Sequence, residues 1–455
     1  MAEQTRAVDA PPEQVAAEQA AEPVAAEQAV APVAAEPVAA EPVAAERVTA
    51  DPSGRNTAVL VGFTAVTNLT DGVTKIAFPL LATTITSSPA QISGVALTLW
   101  LPWLLAALHV GVLVDRVDRR KLLWAANLVR IVVVAGVLWT VVRDAVSLPV
   151  LYGGGLALGV AEVVALTSAA ALVPDAVRPA HRERANSWVA GAETVCNEFA
   201  GPLVGGLLVA ASATLAFGTS VAGYLIGIVV LLGLVGTFKV ARSTDEPRES
   251  VNKQIAAGLK FLWHQRMLRM MALVLTVLCA CWGAWFGLMP LYATSVMGLD
   301  GAGYGVLISA MGVGGALGAF VTTTLNRLVG RRWVMLADLI GTFAMVLVPV
   351  LFPSVWLVAA SAFVGGLGGT LWTVNSRTLS QGIVPTEMMG RYNAAARLFS
   401  WGAIPLGAGL GGLLAEWFGM KVAFAVFAVA VFLLIPSFLH TFTTKALAEI
   451  EPPKE

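Results

Sequence analysis

From residue 57 to residue 442 the chain is a succession of apolar runs, each about 20 residues or longer, the length an α-helix needs to cross about 30 Å of hydrocarbon. That feature makes the chain an all-α membrane protein. Twelve runs can be bounded, at 57–82, 90–114, 122–142, 146–174, 187–210, 214–238, 269–296, 302–325, 333–352, 354–384, 392–417 and 420–442. Composition agrees: 57% of residues are apolar and 13% charged, with a mean hydropathy of +0.76, whereas soluble domains carry about 25% charged residues. Nucleic-acid binding is disfavoured, because 29 Lys and Arg are balanced by 29 Asp and Glu and no separate basic domain is present.

The charge is unevenly spread. Residues 1–56 hold ten acids against Arg6, Arg47 and Arg55, so the remaining 399 residues carry a net +7. Prolines at 23, 32, 37 and 42 interrupt an Ala- and Glu-rich segment without an apolar stripe, and a disordered acidic tail is expected there. It lacks the basic n-region and short apolar h-region of a signal peptide and is expected to be retained.

Lys and Arg cluster in alternate loops. Arg116, Arg119, Arg120 and Lys121 lie between runs two and three, Arg178, Arg182 and Arg184 between four and five, and Arg327, Arg331 and Arg332 between eight and nine, while the intervening loops offer only Arg143 and Lys421. The positive-inside rule then puts both termini in the cytoplasm of a multi-pass plasma-membrane protein. Residues 239–268 form the one long polar connection, and QIAAGLKFLWHQRML within it predicts an amphipathic helix on the cytoplasmic face. The linker separates two six-helix bundles, 57–238 and 269–442, and residues 443–455 form a short cytoplasmic tail.

The halves look related. RANSWVAGAETVCNEFAGPLVGGLLV (184–209) matches RYNAAARLFSWGAIPLGAGLGGLLA (391–415) in its Arg-x-Asn opening, central proline and Gly-Gly-Leu-Leu ending, and DRVDRRK (115–121) aligns loosely with NRLVGRR (326–332). Such duplication implies pseudo-symmetric bundles with a substrate path between them near mid-membrane.

Two motifs carry a resemblance. The segment Gly111-Val-Leu-Val-Asp115-Arg116-Val-Asp118-Arg119-Arg120-Lys121 resembles the G-x-L-x-D-R-x-x-R-R-K loop of the major facilitator superfamily, with Asp118 where Gly or Asn is more usual. The resemblance implies that Asp115 helps latch the halves on the cytoplasmic side, facing the eleventh span near Arg391. Asn326 in the second copy implies a weaker latch there. Gly201-Pro202-Leu-Val-Gly205-Gly206 resembles the antiporter motif of the drug exporters in that superfamily, although Asn197 replaces the leading Gly. Pro202 removes a helical hydrogen bond and the glycines permit a kink and close packing. From Asn68-Leu-Thr-Asp71-Gly72-Val-Thr-Lys75 to SWGAIPLGAGLGG, the chain is most similar to the branch that contains enterobactin and macrolide exporters.

Ionisable groups inside spans are costly and become functional candidates by default. Asp71 lies 14 residues into the first run, about 21 Å along it, and Lys75 at i+4 can neutralise it on the same face. Glu162 is midway along the fourth run. Glu193 and Glu198 lie five residues apart on the fifth, about 140° apart if that run is α-helical, whereas Glu193, Asn197 and Gly201 share a face. Asp71, Glu162 and Glu198 are the proton-carrier candidates, because burial disfavours a carboxylate's charged form. Lys75, Glu193, Asn197, Arg377, Trp282 and Trp285 are candidates to line the substrate cavity. Arg377 and Arg397 lie near the cytoplasmic boundary, where snorkelling competes with pairing across a cavity. Asp338 and His109 suit packing or capping.

Cys196, Cys279 and Cys281 sit in apolar stretches. They offer no readable disulfide framework, and Cys-x-Cys on a helix points its thiols about 200° apart, so no metal site is expected. No nucleotide-binding or catalytic motif is present, hence no cofactor and no enzyme activity are expected. The resulting expectation is a monomeric secondary transporter that exports an amphipathic small molecule (a drug, secondary metabolite or siderophore) by proton antiport with alternating access. The alternatives are an importer or facilitator of the same fold, or a non-transporting scaffold.

Overall fold

The computed structural model describes residues 52–114, 116–236 and 251–448. Residues 1–51, Asp115, residues 237–250 and the last seven residues lie outside them, so the expectation of a disordered tail falls outside them except at its end, where 53–56 already belong to the first helix. Among the described residues the chain is helical without strands. The helices are α1 (Ser53–Ala82), α2 (Pro89–Leu105), α3 (Ala107–Val114), α4 (Arg119–Val142), α5 (Leu148–Ala176), α6 (Pro179–Glu193), α7 (Gly201–Ala211) and α8 (Ala213–Leu232). A π-helical segment, Thr194–Ala200, joins α6 to α7. Then follow α9 (Val251–His264), α10 (Arg266–Ser295), α11 (Gly301–Val329), α12 (Arg331–Leu351), α13 (Val355–Ile383), α14 (Thr386–Ser400), α15 (Ala403–Phe418), α16 (Met420–Thr441) and α17 (Thr444–Ala448).

Among the described residues, ten helical stretches are long and apolar enough to cross a membrane. The other two expected spans fall short for separate reasons. α1 is 30 residues long but carries Asn68, Asp71 and Lys75 in its middle, and α2 stops after 17 residues, with the chain resuming as α3. Large apolar side chains such as Phe320 and Leu328 stand out from the surface, as lipid-facing positions do. Trp139, Trp333, Trp356 and Trp417, all exposed near helix ends, suit the interfacial belts of a bilayer.

Hydrogen bonds identify the two ends. At one, Asn56 Nδ2 donates to the carbonyls of Ala176 (3.0 Å) and Val235 (2.9 Å), joining the start of α1 to the ends of α5 and α8. Arg332 Nη2 there donates to the Leu439 carbonyl at 3.0 Å. This is the arginine-rich end. At the arginine-poor end, Tyr152 Oη donates to the Gln91 carbonyl (3.0 Å) and Tyr292 Oη to that of Pro349 (2.6 Å). α1 packs on α5, α7 and α8, and α4 on α5 and α8; in the second half α13 packs on α11 and α12, and α10 on α15 and α16.

The halves meet through α2 with α10 and α15, and through α7 with α11. The α7–α11 crossing depends on missing side chains: a Cβ on Gly206 would strike the backbone of Gly305, and one on Gly301 would lie 2.9 Å from the Ala210 nitrogen. Small residues allow such backbone approach, and dispersion then holds the helices together. At the α2–α15 contact, Ser88 Oγ and the Ala90 amide donate to Glu416 Oε2 at 2.7 and 3.3 Å, so a carboxylate from the end of α15 caps the N-terminus of α2. Gly206→Leu is expected to cost about 1–3 kcal/mol of stability by overpacking. Thermal unfolding of the purified protein in detergent measures it, and an unchanged melting temperature would show that the crossing is not tightly packed.

The expected amphipathic helix forms as α9, and its apolar face docks on protein. Gly258 packs against the Arg391 backbone of α14, Trp263 stacks on Phe399 at 6.4 Å, and Leu262 is fully buried.

Candidate functional site

α1 carries several small polar side chains in its middle, and three of them bond to its own backbone. Thr67 and Thr70 hydroxyls donate to the carbonyls four residues earlier, both at 2.8 Å, and Asn68 Nδ2 donates to the Thr64 carbonyl at 2.9 Å. Such back-bonding satisfies short polar groups within a buried helix. Asp71 and Lys75 must look to other helices.

They do not pair with each other. Asp71 faces α4 and α8, where Arg130 Nη2 meets its Oδ2 at 2.8 Å and Tyr224 Oη donates to its Oδ1 at 2.8 Å. Arg130 Nη1 also donates to Asn127 Oδ1 at 3.3 Å. Arg130, Tyr224 and Asp71 are all buried. Lys75 turns instead toward α5 and the π segment, donating to Glu162 Oε1 at 2.7 Å and Asn197 Oδ1 at 3.3 Å. Its ammonium also lies 4.3 Å from the Trp100 ring centroid. The expected i, i+4 pair is therefore replaced by two interhelical pairs. A buried carboxylate needs donors on both oxygens, and a bulky guanidinium plus a phenol supply them where one ammonium one turn away does not.

Asn197 ties the second pair together, since its Nδ2 donates to Asn68 Oδ1 (3.1 Å) and to Glu162 Oε1 (3.3 Å). Its position comes from the π segment. Pro202 has no N–H to continue the α ladder, and the Gly201 amide reaches back five residues to the Cys196 carbonyl. The widened turn changes the phase, so the α-helical estimate of 140° between Glu193 and Glu198 does not hold. Asn197 is buried, Glu193 is half-exposed, and the Glu198 side chain lies outside the described residues. The glycines of the motif act as contact points. A Cβ on Gly72 of α1 would come within 2.8 Å of both the Asn197 carbonyl and Gly201 Cα, and Gly205 lies against Val73. Gly206 makes the interhalf crossing described above.

The second half presents Arg377 and Arg397, both exposed. Arg377 lines a cavity with Trp372, Tyr392, Asn393 and Ala396. Trp282 keeps some exposed surface beside Gly369, whereas Trp285 is fully buried in the second-half core. The aromatic expectation thus narrows to Trp282. Trp100 and Trp103 instead meet Trp401 of the other half, with centroids 5.8 and 4.8 Å apart.

The central residue of the expected gating loop, Asp115, lies outside the described residues. Gly111 ends no close contact, and Arg116 and Lys121 are exposed while Arg120 is half-buried. Arg119 pairs with Asp175 and donates to the Ala171 carbonyl at 3.1 Å, both in its own half, because α4 and α5 are neighbours there. Asp118, the departure from the usual motif, caps α4 by accepting from the Arg120 and Lys121 amides at 2.9 and 3.3 Å. In the second copy, Asn326 Nδ2 donates to Asn375 Oδ1 at 2.9 Å. Asp338 is buried, its carboxylate accepting from Thr342 Oγ1 at 3.3 Å. His109 is exposed.

Arg130, in the middle of the third run, is a cation inside a span like Lys75, and its residue type and depth were the signal that could have found it. Tyr224, Asn127 and Glu416 carry no motif, and their roles emerge only from their neighbours.

Residues 57–452 match the family model described as "Transmembrane secretion effector". The chain is 30% identical over 395 residues to the multidrug efflux pump Tap of Mycobacterium tuberculosis, covering 83% of this chain and 92% of that pump. It is 29% identical over 343 residues to the enterobactin exporter EntS of Citrobacter koseri, covering 73% of this chain and 78% of the exporter. In fold it is similar to the nucleoside transporter NupG (TM-score 0.66, 11% identity, 86% of this chain and all of that one). It is also similar to a bacterial homologue of the iron transporter ferroportin in an inward-facing state (TM-score 0.64, 17% identity, 85% and 98%).

Proposed function

Because the chain belongs to the transmembrane secretion effector family of major facilitator transporters, and so is a transporter rather than an enzyme, we propose that it exports an amphipathic small molecule in exchange for protons. The arrangement is twelve spans in two six-helix bundles of the plasma membrane, α1 and α2–α3 included, with the arginine-rich end in the cytoplasm and a monomer as the working unit. The curated relatives that are named for efflux favour export over import.

The observation that carries the reading is the Lys75–Glu162–Asn197 cluster, an ion pair of which each member is only 14% and 6% exposed, beside a contact between the halves. In this mechanism Glu162 carries the proton. Its protonation removes the acceptor charge that holds Lys75, and Lys75 then redistributes between Asn197 and the Trp100 face. Trp100 rests on Trp401 of the other half, so the change at Glu162 reaches the surface on which the halves rock. Asp71, clamped by Arg130 and Tyr224, acts as a fixed brace of the first bundle. Glu198 is a second proton-carrier candidate; Glu198→Gln should abolish export while leaving folding intact if it serves, and full activity removes it from the mechanism.

The α7–α11 crossing at Gly206 and the Glu416 cap on α2 sit toward the arginine-poor end, as expected of a state closed outward and open to the cytoplasm. Glu416→Gln weakens that closure. Its expected result is faster labelling of a cysteine introduced by Ser93→Cys, which lies beside Gly287 and Gly412 across the halves, with a membrane-impermeant maleimide added outside intact cells. Equal labelling rates count against a latch there.

Accumulation of ethidium in cells tests the reading as a whole. Expression of the protein should lower accumulation, and dissipating the proton gradient should restore it; accumulation that ignores both overturns proton-coupled export. Deletion of residues 1–50 is expected to leave the effect intact. Loss of export on that deletion would instead give the tail a working role.

A further inference from the structure

Asp338 stands about 10 Å along α12 from its arginine-rich end and is 2% exposed. Its one hydrogen bond among the described residues is the long one from Thr342 Oγ1, at 3.3 Å, and no described cation pairs with it. The internal repeat accounts for the missing partner. The alignment that sets Asp115 against Asn326 also sets Asn127 against Asp338 and Arg130 against Gly341. In the first half the buried acid is Asp71 of α1, clamped by Arg130. In the second the acid has moved to α12, and a glycine stands where the cation would be. No charge on the helices packed against α12 takes that place. Arg266 of α10 is engaged with His440 of α16 at 2.7 Å, and Arg269 with the Trp263 carbonyl at 3.0 Å. Arg327 of α11 and Arg377 of α13 are exposed, and Lys421 begins α16 at the opposite end. Cys279 and Cys281 of α10 are thiols. Arg331, two turns before Asp338 on α12, donates to Asn375 Oδ1 at 3.0 Å.

A carboxylate without a counter-charge inside a bundle is costly, whereas the neutral acid is accommodated. We infer that Asp338 is a proton-binding site of the second half, neutral in this state and ionised in another, and that its ionisation parts α12 from α13. The carboxyl is wedged where those helices cross. A Cβ on Gly368 of α13 would lie 2.7 Å from both Cα and Oδ1 of Asp338, and one on Gly341 would lie 2.8 Å from the Val364 carbonyl oxygen. An ionised Asp338 has to draw in water or Arg331, and either needs room that this crossing lacks. α13 is in turn locked to α11, where a Cβ on Gly314 or Gly366 would overlap the facing carbonyl of Phe363 or Met311. α11 makes the Gly206 crossing with the first half, so a proton at Asp338 is tied to the interhalf contact through packed backbone. This deepens the proton-exchange reading and rests on it for the link to transport; protonation of Asp338 itself does not depend on that reading.

Infrared spectroscopy of the full-length protein in lipid tests the protonation without any flux. At neutral pH the wild type is expected to show a protonated-carboxyl C=O band that is absent from Asp338→Asn, persists in Glu162→Gln, and is lost reversibly as the pH is raised. Spectra of the wild type and Asp338→Asn that superimpose in the carboxylic-acid region overturn the inference, and so does a band that never titrates. Should Asp338→Asn fail to fold, Thr342→Val decides the same point. Removing the hydroxyl that bonds the carboxyl should shift the band and leave it titrating, and an unmoved band means that it does not belong to Asp338. The link to transport is read in everted vesicles, where gradient-driven ethidium transport by Asp338→Asn should be at least about tenfold slower than by the wild type; the wild-type rate in that variant overturns the coupling. A titrating Asp338 band in a protein that moves no ethidium would instead sink export and leave the proton site standing.

Discussion

Replacing Arg130 by Met lowers the unfolding free energy by about 3–5 kcal/mol, the usual cost of leaving one partner of a buried ion pair behind. The residue left behind is Asp71, 4% exposed, which loses the guanidinium at 2.8 Å and keeps only the Tyr224 phenol. The sign of the effect depends on what remains, so the double variant Arg130→Met with Asp71→Asn is expected to recover a large part of the loss: a neutral amide can still accept from Tyr224, and no unpaired charge is left in the bundle. Denaturant unfolding of the four proteins in a double-mutant cycle gives the coupling directly. If Arg130→Met alone is as stable as the wild type, the pair is not a brace, and Asp71 returns to the list of groups free to take up a proton.

Glu162→Gln is expected to act on transport rather than on stability. The amide keeps the shape and can still accept from Lys75 and Asn197, but it no longer attracts the ammonium, so it imitates the protonated carboxyl permanently. Proton-driven export should fall by at least about tenfold, a change of about 1.4 kcal/mol or more in the barrier. Exchange of substrate for substrate across the membrane, which needs no net proton movement, should survive. The initial rate in the wild type should vary with pH on the side from which the proton is loaded, and the variant's residual rate should be flat. Everted vesicles with an imposed pH gradient measure all three. Retention of gradient-driven export by Glu162→Gln would remove Glu162 from the coupling step and shift attention to Glu198.

Asp71 and Arg130 show how much of the site could be read along the chain. Both are charged residues in the interior of apolar runs, and the cost of placing them there is visible from the residue type and its distance to the run's ends. Which cation meets which anion is not visible. Lys75 at i+4 is the local solution for Asp71, but the two side chains diverge to α5 and α4, because packing of α1 among three neighbours offers each of them a better-placed partner. Asn197 is similar. It reads as a defect in the antiporter-like motif, yet the π segment that Pro202 terminates turns it into the residue joining Glu162, Lys75 and Asn68. The Arg-rich loop carried a readable motif, whereas the pairing of Arg119 with Asp175 follows from the adjacency of α4 and α5.

Sequence by itself determined that the chain is a set of membrane-crossing helices, where most of them begin and end, that a polar amphipathic segment lies between two halves, and that ionisable groups stand inside the spans. Each of these follows from local physics: a backbone in hydrocarbon must bond to itself within one segment, and the cost of a charge there depends on its depth. Tertiary structure alone decided the ion pairs and the cap of Glu416 on α2. Those depend on residues 59 (Arg130 and Asp71), 87 (Lys75 and Glu162) and 328 (Ser88 and Glu416) positions apart. Helices that are alike in apolar content present no one-dimensional signal of which faces will meet, so partners at such separations are chosen only when the helices pack.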